Sequence, residues 1–223
     1  MTDNKLKNFK YLVIHILLFF SIWATYEIGI APYIENNYSQ NIFVVSRLFI
    51  KLLVWIVPVF LYLKFYDKID PLSYLKLKNN IKQGLIGALG LSLFFISYSG
   101  LRAYLIGNFK LDISLSINTW INGIVFVGLT EEIVFRGFFL KKLWDKLSFK
   151  KAMIVSSLLF VCIHYPIWFV KGKLVFPNLI SNSIYVFVIG ILEAYVFKKT
   201  DSLWACIISH SIHNFIVYII RVI

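Results

Sequence analysis

The chain has 223 residues, of which 59% are hydrophobic, and its formal net charge is +12. A hydrophobic fraction this high lies outside the range of ordinary soluble domains and favours a membrane protein. The positive charge does not indicate a nucleic-acid-binding protein, because the cations fall between long apolar runs and do not cluster on one face. Cys162 and Cys206 both lie within apolar runs, which argues against a disulfide-stabilised fold or a zinc knuckle.

Seven apolar stretches approach or reach the roughly 20 residues that a helix needs to cross a bilayer. They cover residues 11–32, 44–64, 83–106, 116–140, 152–170, 179–197 and 203–221. The linkers between them are short and polar, so residues 1–223 are predicted to form a single membrane domain. The predicted fold is all-α, a polytopic bundle of about seven transmembrane helices. A cytoplasmic N-terminus puts most Lys and Arg residues on the inner side, as the positive-inside rule requires.

The fourth stretch contains Glu131, Glu132 and Arg136, and ionisable side chains deep in a span are costly and usually functional. Glu132 and Arg136 are four residues apart, so they share a helix face and are predicted to form a supporting ion pair. Glu131 points about 100° away from that face. We therefore expect Glu131 to be free of this ion pair and available for chemistry.

The fifth and seventh stretches contain further polar groups at a similar depth. His164 lies in the fifth stretch, and His210 and Asn214, four residues apart on one helix face, lie in the seventh. At 1.5 Å per residue, these groups and Glu131 all lie roughly 12–18 Å from the same membrane face. A common depth on three spans favours one polar pocket over three unrelated packing contacts.

These residues leave two mechanisms open. Glu131, His164 and His210 form a familiar ligand set for a catalytic divalent metal such as zinc, which would activate a bound water. Alternatively, Glu131 is a general base that activates water directly and is oriented by His164, while His210 and Asn214 stabilise the oxyanion. The chain has no His-Glu-x-x-His motif, so the usual zincin arrangement on one helix is excluded.

Other ionisable residues in or near the spans are predicted to serve topology or packing. Arg47 and Lys51 are four residues apart near the start of a span and are expected to snorkel outward. Glu27 is near the outer end of its span, and Glu193 is expected to lie close enough to the interface to be solvated. His213 is expected to hydrogen-bond a neighbouring helix.

The motifs Glu131-Glu132-x-x-x-Arg136-Gly137, Phe160-x-x-x-His164 and His210-x-x-x-Asn214 occur in this order, each within a predicted span. They resemble the motifs of the CPBP family (CAAX protease and bacteriocin-processing, or Abi) of intramembrane proteases. The resemblance covers residues 116–220, which are the predicted catalytic core. The three N-terminal spans, within residues 1–110, have no assigned role.

The resemblance implies a helical membrane hydrolase whose site opens towards the cytoplasmic half of the bilayer. It implies that Glu131 and His164 activate water, and that His210 and Asn214 are oxyanion or ligand partners. Besides the lipid bilayer, the expected partner is a peptide or protein substrate, and the expected location is the plasma membrane of a bacterial cell.

Two other classes of protein are compatible with the same polar residues. A non-catalytic protein could confer immunity to a membrane-active peptide by sequestering it, and this protection would survive the loss of Glu131 and His164. A small transporter could use them as a proton relay, but the chain has no obvious paired repeats or broken helices at matching positions. We expect an intramembrane endopeptidase.

Overall fold

A computed structural model describes residues 2–107 and 109–222 of the chain. The predicted all-α membrane bundle is confirmed, and seven long helices coincide with the seven apolar stretches. The helices are α1 (2–37), α2 (Gln40–Tyr66), α3 (Ile81–Ile106), α4 (119–144), α5 (Phe149–Val170), α6 (Asn178–Thr200) and α7 (Leu203–Ile219). A single helical turn, Pro71–Tyr74, lies between α2 and α3.

Three of these helices change between α-helical and π-helical geometry along their length. The π-helical stretches are Tyr26–Ile30 in α1, Leu52–Ile56 and Tyr62–Tyr66 in α2, and Thr119–Val125 and Ile133–Leu140 in α4. The longest, Ile133–Leu140, begins directly after Glu132. Because π-helical turns are frequent at functional sites, the middle of α4 is a candidate part of a functional site.

Five helices, α1, α2, α3, α5 and α6, are long and apolar enough to cross a membrane. The other two are the helices on which the sequence places most of the polar groups: α4 contains Glu131, Glu132 and Arg136, and α7 has only 17 residues. Large apolar side chains such as Leu17, Phe49 and Leu85 are exposed on the outside of the bundle, while charged ones are buried within it. This inverted pattern fits an integral membrane protein surrounded by lipid.

Loops predicted to lie on one side of the membrane contact each other. Lys142, at the end of α4, forms an ion pair with Asp67 at the end of α2, with 2.5 Å between Nζ and Oδ2. Lys76, before α3, forms one with Asp201 between α6 and α7 at 2.8 Å. The end of α2 thus lies beside the end of α4, and the start of α3 lies beside the end of α6.

At the opposite end of the bundle, two short strands pair in an antiparallel sheet that the all-α prediction did not include. Strand β1 (Phe109–Leu111) follows α3, and β2 (Ile220–Val222) follows α7, with Phe109 opposite Val222. Strands of three residues are too short to produce a recognisable alternating pattern in the sequence. Their pairing joins the ends of α3 and α7.

The middle of α4 is the centre of the bundle. All eight residues of Ile133–Leu140 are buried, as expected for a helix that is apolar on nearly every side. The rings of Phe135 and Phe139 pack edge-on against Phe19 of α1, and Phe135 also packs against Trp55 of α2. Side chains on α4 are therefore surrounded by several other helices.

Helices α4 and α7 approach each other closely at Gly128. A Cβ atom on Gly128 would lie 2.4 Å from Oγ of Ser211 and 3.1 Å from the carbonyl oxygen of Ile207. Small residues allow this kind of close approach between membrane helices. Gly128 is four residues before Glu132, so the close contact brings α7 within reach of the charged part of α4.

We predict that Gly128→Val destabilises the bundle, because the new side chain would collide with α7. The free energy of unfolding in detergent should fall by about 1–3 kcal/mol more than in the control variant Gly90→Val, as is typical of overpacking. Gly90, on α3, is a matched control because a Cβ atom there would have no neighbour within 4 Å. Equal stability of the two variants would contradict the close approach of α4 and α7.

Candidate active site

Glu132 joins α4 to α7 through a buried hydrogen-bond network. Its side chain is completely buried, and Oε1 accepts hydrogen bonds from Nη1 of Arg136 at 2.9 Å and from Nδ1 of His210 at 2.6 Å. The i,i+4 contact with Arg136 is the one that the sequence spacing predicts. Because a carboxylate only accepts hydrogen bonds, Nδ1 of His210 is the donor. The orientation of the His210 ring is thereby fixed.

Glu131, the next residue along α4, faces different side chains. It is 8% exposed, and its Oε2 lies 3.8 Å from Nε2 of His210. Its Oε1 lies 3.9 Å from Nζ of Lys51 in α2. His210 is therefore located between two carboxylates, with one ring nitrogen on Glu132 and the other facing Glu131.

His164 approaches the same site from α5. It lies at the interruption of that helix, between Phe149–Cys162 and Tyr165–Val170, and its Nδ1 is 2.7 Å from the carbonyl oxygen of Phe160. Since a carbonyl only accepts, Nδ1 is the donor and Nε2 is left for other partners.

The ring of Phe160 connects the polar groups of three helices. Its centroid lies 5.0 Å from the ring centroid of His164 in α5 and 5.9 Å from that of His210 in α7. The guanidinium carbon of Arg136 in α4 lies 4.2 Å from the same centroid. The rings of His164 and His210 thus both contact Phe160 beside the supporting pair, and Glu131 faces the ring of His210.

Asn214 occupies a position farther from the two carboxylates. Its Nδ2 donates a hydrogen bond of 3.2 Å to the carbonyl oxygen of Gly123. Gly123 is eight residues before Glu131, roughly 12 Å along the helix. In the described part of the chain, no hydrogen bond joins Asn214 to Glu131, His164 or His210. The amide of Asn214 thus connects α7 to α4 in this conformation.

The expectation that Lys51 and Arg47 snorkel outward is wrong. Lys51 is only 4% exposed, and its ammonium lies 5.2 Å from the ring centroid of Trp55 and 5.8 Å from that of Trp23. Arg47 forms an ion pair of 2.6 Å with the buried carboxylate of Glu27 in α1. Helix α2 starts at Gln40, so Lys51 lies about 16 Å into the helix, too deep to reach the interface easily.

The expectation that Glu193 is solvated near the interface is also wrong. Its side chain is completely buried, and both carboxylate oxygens lie within 3.0 Å of Oγ of Ser209. Sγ of Cys206 donates to the backbone carbonyl of Glu193 at 3.3 Å. A short turn joins α6 to α7, so Glu193 packs against the first turns of α7. His213 hydrogen-bonds the hydroxyl of Tyr185 in α6 at 2.7 Å, a contact with a neighbouring helix as expected.

The donor atoms of this region do not form a well-built metal site. Among the described residues, the metal-ligating side chains whose ligand atoms all lie within 4.8 Å of one another are those of Glu132, Glu193 and Cys206. Glu132 in that group already pairs with Arg136. The set expected from the sequence, Glu131, His164 and His210, does not form such a group, and Glu131 faces the ammonium of Lys51.

Residues 113–216 match the family model described as Rce1-like, type II CAAX prenyl endopeptidase. This match is consistent with the CAAX intramembrane protease family. The resemblance inferred from the three motifs is therefore confirmed. The matched segment runs from just before α4 into the last turns of α7 and includes every site residue predicted from the sequence, whereas Lys51 lies outside it. No curated protein and no solved structure matches the chain. The match supports intramembrane endopeptidase activity in general.

Sequence reasoning missed two residues that contact the site, Lys51 and Glu193. The signal for Lys51 was its depth, because a lysine eleven residues into an apolar helix is rarely free in lipid. Glu193 had no such signal, since its distance along the sequence from Lys198 suggested an interfacial position. Its burial depends on how tightly α6 turns into α7.

We predict that Arg136→Met is strongly destabilising, because it leaves the carboxylate of Glu132 buried without its cation. The free energy of unfolding should fall by about 3–5 kcal/mol, as in other broken buried ion pairs. In the control Lys76→Met, which removes the cation of the partly exposed pair with Asp201, the fall should be about 0–1 kcal/mol. Unfolding in detergent measures both values. An Arg136→Met protein as stable as Lys76→Met would contradict the buried pair.

Proposed function

We propose that this protein is an intramembrane endopeptidase of the bacterial plasma membrane, with water activated by Glu131 and His164. Its substrates are membrane-associated peptides or proteins. The observation that carries this proposal is the position of Glu131, whose second oxygen faces His210 at 3.8 Å while its neighbour Glu132 is occupied by Arg136. One carboxylate is thus available for proton transfer inside a segment that matches a protease family.

The distances around Glu131 support a role for a water molecule. Its oxygens lie 3.8 Å from His210 and 3.9 Å from Lys51, both too long for direct hydrogen bonds. Polar groups at this separation are commonly bridged by water. A water bound here donates one proton to Glu131 and one hydrogen bond to Nε2 of His164 as its oxygen attacks the scissile carbonyl.

His210 is suited to stabilise the tetrahedral intermediate. Its Nδ1 donates to Glu132, so the ring cannot rotate away, and its Nε2 faces the anionic Glu131. With a proton on Nε2 as well, the ring would donate a hydrogen bond to the oxyanion. Asn214 contributes a second donor only after leaving its bond to Gly123. As the C–N bond breaks, Glu131 returns its proton to the leaving nitrogen, which yields a carboxylic acid and an amine and regenerates the Glu131 carboxylate. The product acid then loses its own proton to the solvent or to the released amine.

We further propose that this water activation needs no metal. Glu131 faces a resident cation, Lys51, and a divalent ion bound to the same carboxylate would be repelled by that ammonium. The ligand atoms of Glu131, His164 and His210 are also not as close together as those of Glu132, Glu193 and Cys206. Direct proton transfer to Glu131 fits this arrangement better than a zinc-bound water.

We predict that Glu131→Gln and His164→Ala remain folded in the membrane but lose cleavage by about 10²–10⁴-fold, the usual contribution of general base catalysis. Comparing membrane-derived peptides by mass spectrometry in cells with each variant identifies the products that disappear. His213→Gln is the control, because His213 lies on α7 near His210 but its side chain hydrogen-bonds Tyr185. It should retain most of the activity.

Wild-type product levels with Glu131→Gln would contradict the proposed catalytic role. If the chain instead protects cells from a membrane-active peptide, and both variants protect as well as wild type, sequestration without hydrolysis would replace the endopeptidase.

We also predict that the purified protein keeps its activity in the presence of a metal chelator. Turnover of a peptide identified in the previous comparison should change by less than about twofold with excess EDTA or phenanthroline, because no step depends on a bound ion. Loss of activity on chelation, with recovery when zinc is added back, would contradict metal-free water activation.

A further inference from the structure

Lys51 of α2 lies outside the matched segment and yet reaches its central carboxylate. Its ammonium is 3.9 Å from Oε1 of Glu131 and lies close to the ring faces of Trp55 and Trp23. Only 4% of the residue is exposed. Contact between a cation and indole rings is attractive and does not require water. The ammonium is therefore fixed at one position beside the active site.

The other charges near Lys51 are already paired. Arg47, one turn away on α2, forms its ion pair with Glu27 of α1 at 2.6 Å. Arg136 pairs with Glu132 on α4 at 2.9 Å. In the described part of the chain, the carboxylate within ion-pair distance of Lys51 is that of Glu131.

Each of the two adjacent carboxylates on α4 therefore has its own cation from a different position in the fold. Without Lys51, the remaining polar contact of Glu131 would be Nε2 of His210, whose Nδ1 is already hydrogen-bonded to Glu132. Oε1 of Glu131 would then have no cation to hold it. The cation on α2 holds Oε1 and leaves Oε2 of Glu131 facing the ring and the reacting water.

We propose that Lys51 is a positioning residue of the active site, which fixes Oε1 of Glu131 so that Oε2 faces His210 and the water. This inference rests on the endopeptidase function proposed above. It also assigns a role to the N-terminal spans: α2, and α1 through Trp23, complete a site whose other residues are all on α4, α5 and α7. The matched segment without α1 and α2 would contain an incorrectly oriented base.

The inference predicts an effect on turnover more than on substrate affinity. Lys51→Met has a similar length without the charge, and it should lower kcat by about 10- to 100-fold, the range expected when a catalytic group is misplaced by about 1 Å. KM should change by less than about twofold, since Lys51 acts through Glu131 and does not bind the peptide. Lys51→Arg restores the cation and should recover much of the lost kcat.

The experiment measures kcat and KM on a peptide substrate whose cleavage products are identified in cells. The purified proteins compared are wild type, Lys51→Met, Lys51→Arg, Arg47→Met and Glu131→Gln. Arg47→Met is the matched control, because it removes a partly buried cation from the same helix, the partner of the buried Glu27, without touching Glu131. It should lower the thermal unfolding temperature but leave the kcat of the folded fraction within about twofold of wild type.

The outcomes separate this inference from the proposed function. An inactive Glu131→Gln together with a fully active Lys51→Met overturns the positioning role alone. Equal losses of kcat in Lys51→Met and Arg47→Met, with no recovery in Lys51→Arg, also overturn it by showing a merely structural effect. Wild-type turnover by Glu131→Gln overturns the proposed function and the role of Lys51 with it.

An activity-independent measurement tests the same contact. Lys51→Met leaves the carboxylate of Glu131 without its cation, so it should lower the unfolding temperature, and adding Glu131→Gln should recover part of that loss. Additive effects of the two substitutions would contradict the pairing even if every kinetic result agreed with it.

Discussion

Ionised side chains are stable inside a bilayer only when each lies against an opposite charge or a hydrogen-bonding partner. This protein meets that requirement at the centre of its bundle, where Lys51 and Arg136 each face one of the adjacent carboxylates Glu131 and Glu132. His210 lies between the two carboxylates. These contacts hold helices α2, α4 and α7 in one arrangement, because removing any one of the three helices would leave a buried charge without a partner.

The same constraint explains why a site for hydrolysis can exist within an apolar bundle. Oε1 of Glu132 accepts from Arg136 and His210 at hydrogen-bond distances, whereas the contacts of Glu131 are about 1 Å longer. One carboxylate thus serves structure and the other retains room for water. The close approach of α4 and α7 at Gly128 makes the difference possible, since it brings His210 within 2.6 Å of Glu132.

Much of this arrangement could be predicted from the sequence. The seven helices follow from hydropathy, and the contact between Glu132 and Arg136 follows from i,i+4 spacing, because both depend only on local geometry. The positions of Lys51 and Glu193 could not be predicted, since they depend on which helices pack together and on how tightly the turns between them close. Depth and i,i+4 spacing placed Asn214 with His210, but the amide of Asn214, one turn farther along α7, bonds a backbone carbonyl of α4.

The central claim is that α4 and α7 are in close contact within the membrane, so that the carboxylates of one helix face His210 of the other. Cysteine cross-linking tests it directly with the pair Trp120→Cys and Phe215→Cys, in a protein whose Cys162 and Cys206 are replaced by alanine. Because the rings of Trp120 on α4 and Phe215 on α7 stack with their centroids 5.2 Å apart, a short, reducible bifunctional thiol reagent should link the two helices in native membranes. After cleavage at a protease site inserted between α4 and α5, the fragments should remain joined until they are reduced. Separate fragments under the same conditions would contradict the account.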